Sequence, residues 1–357
     1  MSCSECYCGG PNQCIVPPHM LDAIRLRGNA KQKKMVAALE KQAIAVRDKR
    51  QALCRPGIEP AVVFAADAKL PKPNRSIHDG QHKATLPGPL ARNETTGATN
   101  DKQVNEAFVG SGDVFNMYLK AFGRNSLDGN GLKMISTVHH RRNLNNAFWN
   151  GVQMAYGDGD GVLFKPLTGS LSVIGHELSH GVVQFSGGLI YQDQSGALNE
   201  SLADVFGALT VQFKKKQEAH EADWLIGDDI LGPDINGVAL RSLKAPGEAY
   251  SDPVLGQDPQ PYHMDFYNNT SRDNGGVHIN SGIPNHAFYL LSLYLGGNAW
   301  EKAGQIWYDA MQSINNPHAT FFDWALKTLD TAEGLFGKGS SEAVFTRRAW
   351  KLVGVDI

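Results

Sequence analysis

No cysteine occurs beyond Cys54 in this 357-residue chain; the other four stand at Cys3, Cys6, Cys8 and Cys14. A disulfide framework for the body is thereby excluded, so its stability has to come from packing. The Cys3-x-x-Cys6-x-Cys8 cluster admits a metal, a bridge or a redox-sensitive latch, and the odd count leaves one thiol over. No role is assigned to it. A surplus of one charge is also missing: 34 Lys and Arg against 36 Asp and Glu argue against nucleic acid as a partner. No apolar run approaches the length of a membrane span. The first thirty residues hold prolines, a glycine pair and cysteines, with no apolar core behind a basic start, so standard secretory export is not expected from them. What is present, 42% hydrophobic and 20% charged residues, suffices to bury two cores.

The most informative stretch is His176-Glu177-Leu178-Ser179-His180. Two histidines four apart project from one helix face and can reach one metal ion, with Glu177 beside the metal. Val173, Ile174, Leu178 and Val182 supply the apolar positions of that helix, and Gly187-Gly188 a stop. Zinc held this way keeps a position open for water, whose proton Glu177 could take. The bland alternative is a chance match on a surface helix. Downstream, Glu200 and Asp204 share a face of a second amphipathic stretch through Leu202, Val205, Phe206 and Leu209. Glu200 suits a third zinc ligand, and Asp204 can accept the other ring N–H of a ligating histidine. Here the alternative is a pair of acids serving the helix dipole. A third histidine ligand in the metzincin spacing is ruled out, because Val183 and Ser186 occupy the required positions.

Further motifs stand in order along the chain: Asn145–Gly151, Tyr156–Gly161, Gly188-Leu189-Ile190-Tyr191 and Asp273–Ser281. Together with the zinc motif they resemble the thermolysin family of zinc metallopeptidases from about Ser76 onward. The short leader with Pro17-Pro18-His19-Met20-Leu21 resembles the protealysin-like subgroup, whose members carry a brief propeptide. The resemblance implies an α+β, two-lobed fold. A short helical propeptide (1–60) would precede a β-rich N-terminal lobe (61–170), then a zinc-motif helix and mostly helical C-terminal lobe (171–357). It implies one catalytic zinc on His176, His180 and Glu200, with Asp204 behind a histidine and Glu177 as base. Tyr191 and His278 would face the oxyanion, and Asp273 would orient His278. Without the family, His278 in a glycine-rich loop reads equally as structural. Asn146, the Ala147 carbonyl and Arg241 would bind substrate backbone. Phe164, Leu167, Val173, Ile226 and Leu240 would line an apolar pocket for a large hydrophobic residue after the scissile bond. Family members are commonly secreted, which leaves non-classical export or cytoplasmic retention for a chain without a signal peptide.

Calcium is where the chain departs from the family. Ser172 and Val211 replace carboxylates of the usual double site, although Asp223 and Asp228 remain. Asn93, Thr95 and Gly97 replace another set and Val238 a further aspartate, so tight calcium binding is not expected. Four extra residues within Lys214–Glu221 could cover the vacated region.

Residues 1–60 carry ten Lys and Arg against five Asp and Glu, whereas the remainder carries 24 against 31. A basic leader on an acidic body suits a propeptide that docks electrostatically, inhibits its own enzyme and is later removed; a tail or adaptor is the alternative. Helix is expected from Leu21 to Leu53, broken at Pro56-Gly57. In the body, helix is expected near Val114–Phe122 and β structure at Leu132–Val138 and Ala147–Tyr156, the latter a hairpin closed by the glycine-aspartate turn. Helices follow at Leu290–Leu295, Trp300–Met311, Phe321–Leu329 and Ala343–Val353. Tyr289, Trp307, Phe322, Trp324 and Trp350 are expected in the core. Two other functions remain on residues alone. A metalloaminopeptidase would need a glutamate-rich amine-binding motif, which is not found; a zinc-bearing protein without catalysis would not need Glu177, Tyr191 and His278.

Overall fold

Five short strands open the body of the protein, seen in a computed structural model that describes residues 14–37 and 71–357. They are β1 (Arg75–Asp79), β2 (Leu90–Asn93), β3 (Met134–Val138), β4 (Ala147–Trp149) and β5 (Met154–Tyr156), in sheet order β2-β1-β3-β5-β4. β1, β3 and β5 run parallel, while β2 and β4 pair antiparallel at the two edges. β4 and β5 form the expected hairpin, but its turn is 150–153 and not the glycine-aspartate segment, which follows β5. Asn150 makes that turn, its side-chain oxygen accepting the N–H groups of Val152 and Gln153 at 3.0 and 2.9 Å.

The leader contributes α1 (Pro18–Arg27) and a second helix, α2, over the described residues 30–37. The single helix expected from Leu21 is therefore two. Gly28 ends the first, and Asn29 and Gln32 cap the second reciprocally, each side chain accepting the other's backbone N–H. The expected continuation to Leu53 lies outside the described residues, as do Cys3, Cys6, Cys8 and Cys54. In the body, α3 runs over Lys102–Phe122, twelve residues earlier than expected. Asp101 caps it through Gln103 and Val104, and Gly110, which reads as a breaker, is a contact point: a Cβ there would come within 2.5 Å of Ile174.

After residue 170 the chain is mostly helical: α4 (Leu171–Gln184), α5 (Asp193–Lys215), α6 (Asp273–Asn280), α7 (Gly282–Leu295), α8 (Lys302–Ser313), α9 (Phe321–Phe336) and α10 (Ser341–Leu352). Between α5 and α6 lies a two-stranded ribbon of β6 (Leu225–Ile226) and β7 (Arg241–Ser242). Trp307, Trp324 and Trp350 are fully buried, as expected, and Tyr289 packs against the core. Phe322 is 49% exposed, because the adjacent Phe321 takes the inward direction and one helical step turns Phe322 toward solvent. No helix among the described residues is long and apolar enough to cross a membrane.

α4 and α5 cross at the centre, and small residues set the distance. A Cβ on Gly175 would lie 3.0 Å from the Gly207 Cα; one on Gly207 would lie 2.7 Å from the Ser172 carbonyl and 3.0 Å from the His176 amide nitrogen. This close approach brings the carboxylates of α5 against the histidines of α4.

Candidate active site

His176, His180 and Glu200 are buried and converge. The two Nε2 atoms are 3.0 Å apart, and the Glu200 carboxylate oxygens lie 3.6 Å from His176 Nε2 and 3.4 Å from His180 Nε2. His176 Nδ1 faces Asp204 at 2.8 Å, and His180 Nδ1 faces the Asn199 side-chain oxygen at 2.9 Å. An acceptor on each Nδ1 puts the ring proton there, so both Nε2 atoms turn lone pairs toward one another and toward a carboxylate. Glu200 Oε2 is buried and has no hydrogen-bond partner among the described residues. Such a set repels itself unless a cation sits between, and two imidazoles with one carboxylate are donors that suit zinc.

Asp204 itself is held by Arg241, whose Nη2 donates to Oδ1 at 2.8 Å and Nε to Oδ2 at 2.8 Å, and by Asn285 at 2.9 Å. Burial would push its carboxyl up, but Arg241 and His176 hold it well below the usual carboxylate range. It stays ionised, able to orient the histidine.

Glu177 accepts the backbone N–H of Trp149 on β4 at 2.9 Å. On the other wall, Tyr191 donates to Glu200 and lies 3.1 Å from His278 Nε2. Asp273 grips His278 twice, at Nδ1 over 2.7 Å and at the backbone N–H over 2.9 Å. The grip depends on four consecutive residues of positive φ, Asp273, Asn274, Gly275 and Gly276 (φ 52, 51, 83 and 76°), which turn the Asp273 carboxylate back toward His278. A Cβ at Gly275 would also strike Asp193. Burial pulls the His278 pKa down, but the Asp273 and Glu200 carboxylates outweigh it and carry it up to about 9. Its Nε2 therefore offers a proton at neutral pH.

The leader occupies the cleft. Cys14, buried, bridges Phe148 antiparallel on the edge of β4. The Ile15 N–H donates to the Ala147 carbonyl at 3.2 Å, the Val16 N–H to the Asn146 side-chain oxygen at 3.2 Å, and Arg241 Nη1 to the Ile15 carbonyl at 3.1 Å. Ile15 is fully buried in the same core cluster as Phe164, Leu167, Val173, Ile226 and Leu240. The contact thus falls just upstream of Pro17-Pro18-His19-Met20-Leu21, the segment that carries the resemblance to the protealysin-like subgroup. The prolines have no N–H to give, and Pro18 instead opens α1, where none is needed. His19 meets the Tyr250 hydroxyl at 3.0 Å.

Models of the thermolysin metallopeptidase family match nearly the whole body, the catalytic domain over residues 66–184 and the alpha-helical domain over 187–355. An extracellular metalloprotease of Pectobacterium carotovorum subsp. carotovorum is 44% identical over 348 residues, 96% of each chain. Protease PrtS of a Photorhabdus species (strain Az29) is 48% identical over 80% of this chain and 77% of its own. The solved precursor of protealysin, a metalloproteinase from Serratia proteamaculans, superposes with a TM-score of 0.84 at 44% identity, covering 96% of this chain and 99% of that one. The chain belongs to the thermolysin family. It is a zinc metalloendopeptidase of the protealysin-like kind, with a propeptide in the same chain. Against that family frame, the residues missed in the sequence are Asn199, behind His180, and Asn285, behind Asp204. Asn199 had a signal, being next to Glu200 on the same helix; Asn285 had none.

Proposed function

We propose that this endopeptidase cleaves on the N-terminal side of large hydrophobic residues and that its leader holds it inactive by lying in the cleft as a peptide substrate would. One observation carries the reading: Ile15 and Val16, interior to the chain, have their backbone groups hydrogen-bonded by Ala147, Asn146 and Arg241 beside the three-ligand set. An aminopeptidase would need its substrate chain to end there. With Ile15 taken as the residue after the scissile bond, Phe164, Leu167, Val173, Ile226 and Leu240 line an apolar pocket for it. Leu, Ile, Val or Phe then fits the same place in a substrate.

His176, His180 and Glu200 would hold the zinc, which when bound would supply a Lewis acid for the peptide carbonyl and for water. Glu177, steadied by Trp149, takes the proton of the attacking water and passes it toward the leaving amine. Tyr191 and His278 donate to the oxygen on which negative charge grows, with Asp273 keeping His278 charged and in place. Asp204 and Asn199 fix the ring tautomers of the two histidines. On this reading residues 1–60 form the propeptide, 61–170 the β-rich lobe and 171–357 the motif helix and helical lobe, and calcium is not required.

Glu177→Gln should keep zinc and fold yet lose nearly all hydrolysis of an internally quenched peptide with blocked ends and leucine after the cut. Turnover near that of the parent in the zinc-loaded variant would sink the assignment, and failure of the blocked peptide with the active parent would return the aminopeptidase.

A further inference from the structure

A second group of metal-type side chains stands outside the cleft, where the strands of the parallel sheet end. His82 lies in the turn after β1, His139 follows β3 directly, and Asp158 comes two residues after β5. One ligand atom from each lies within 4.8 Å of the other two. His82 Nδ1 is 3.3 Å from Asp158 Oδ2, and His139 Nδ1 is 2.9 Å from Asp158 Oδ1. The imidazole centroids are 5.5 Å apart at 63°, against 4.6 Å and 86° for His176 and His180. Bonds of about 2.0–2.1 Å in a tetrahedron set ligand atoms ~3.3 Å apart, close to the 3.3 and 2.9 Å that separate the two imidazoles from the Asp158 carboxylate.

The parallel goes one bond further. His139 Nε2 meets Asp101 Oδ2 at 2.8 Å, as His176 Nδ1 meets Asp204. A carboxylate on the far nitrogen places the proton there and leaves Nδ1 as the donor atom. His82 (39% exposed at its side chain) opens the group to solvent, so an ion can enter and water can complete its coordination. The backbone binds the loops as well, with His82 N–H donating to the His139 carbonyl at 2.9 Å.

We propose that His82, His139 and Asp158 form a second, solvent-accessible site for a divalent ion of the zinc class, with Asp101 orienting His139. An occupied site joins the C-terminal ends of β1, β3 and β5. It leaves the catalytic ligands untouched and does not rest on the function proposed above.

The test uses the full chain carrying Glu177→Ala, so that it does not digest itself, equilibrated with zinc buffered at micromolar free concentration. Zinc per chain is then measured by elemental mass spectrometry. Two equivalents are expected, falling to one in His82→Asn, whose side chain tolerates the left-handed backbone at position 82 (φ 56°). The exposed His220, changed to Ala as a control, should leave both equivalents in place. The melting temperature of the parent should rise with the second equivalent and that of His82→Asn should not. One equivalent in the parent would mean that His139 is simply an ion-pair partner of Asp101 and Asp158. Two equivalents persisting in His82→Asn would place the extra zinc elsewhere. Either result overturns the proposal.

Discussion

Ser172 is buried, its hydroxyl accepting the Gly227 N–H at 2.9 Å and sharing a hydrogen bond with Ser170 at 2.9 Å. An oxygen engaged in that way is not free to meet calcium. Asn93 turns its side-chain oxygen to its own loop, accepting from the Thr95 N–H and hydroxyl at 2.9 Å each, and Val238 is 59% exposed with no oxygen to offer. Burial, then Asp229 and Asp223, raise the Asp228 carboxyl, while Lys215 at the end of α5 pulls it back. The melting temperature of the mature enzyme should therefore stay level from chelator to millimolar calcium. Calcium at 100 times its dissociation constant would add about 2.7 kcal/mol to a fold that bound it, so a steady climb would refute the assignment. His176 and His180, and likewise Glu200 and Asp204, were legible because a four-residue spacing is a statement about one helix face. Asn285 was not, because its contact with Asp204 joins two helices that no local period links.

At the scale of elements, existence was easier to read than extent. The helices after residue 281 were each found by their apolar period, and the hairpin of β4 and β5 by its β-rich composition. α3 begins at Lys102, ahead of the expected Val114, and its Gly110 and Gly112 serve close packing, against Ile174 and Arg75. The same principle governs the α4–α5 crossing, where nothing in the sequence marks Gly175 and Gly207 as partners. Gly207→Ala should drive α5 away from the Ser172 carbonyl and the His176 amide, carrying Glu200 and Asp204 with it. Overpacking of this sort costs about 1–3 kcal/mol, and disturbed orientation of ligands lowers metal affinity by roughly 10–100-fold. Competition with a chelator of known affinity and thermal unfolding would measure the two effects. Zinc affinity equal to the parent's would show that the crossing distance does not set the ligand geometry.

Over the whole molecule, the division of charge suggested that the leader docks electrostatically, and the described contacts are of another kind. Ile15, Val16, Met20, Ile24 and Val36 are buried, and an ion pair between leader and body, Asp22 with Arg272 at 3.5 Å, has the leader as the acid. At about 1.5–3 kcal/mol for each large buried side chain, apolar contact outweighs an exposed pair worth about 0–1 kcal/mol. The net charge of a segment describes long-range attraction; it does not say which surface finally meets which. Latency should accordingly depend on Ile15, whose side chain is shut into the apolar cluster while its N–H and carbonyl engage Ala147 and Arg241. Ile15→Asp would bury a carboxylate in an apolar cluster, and releasing the leader avoids that cost. In full-length protein confirmed intact by mass before and after the assay, Ile15→Asp should hydrolyse the blocked peptide well above the parent. Glu177→Ala should meanwhile persist as the uncut 357-residue chain if the enzyme matures itself. An intact parent as active as the trimmed enzyme would end the latency proposal. An intact Ile15→Asp no more active than an inert parent would move the lock away from Ile15.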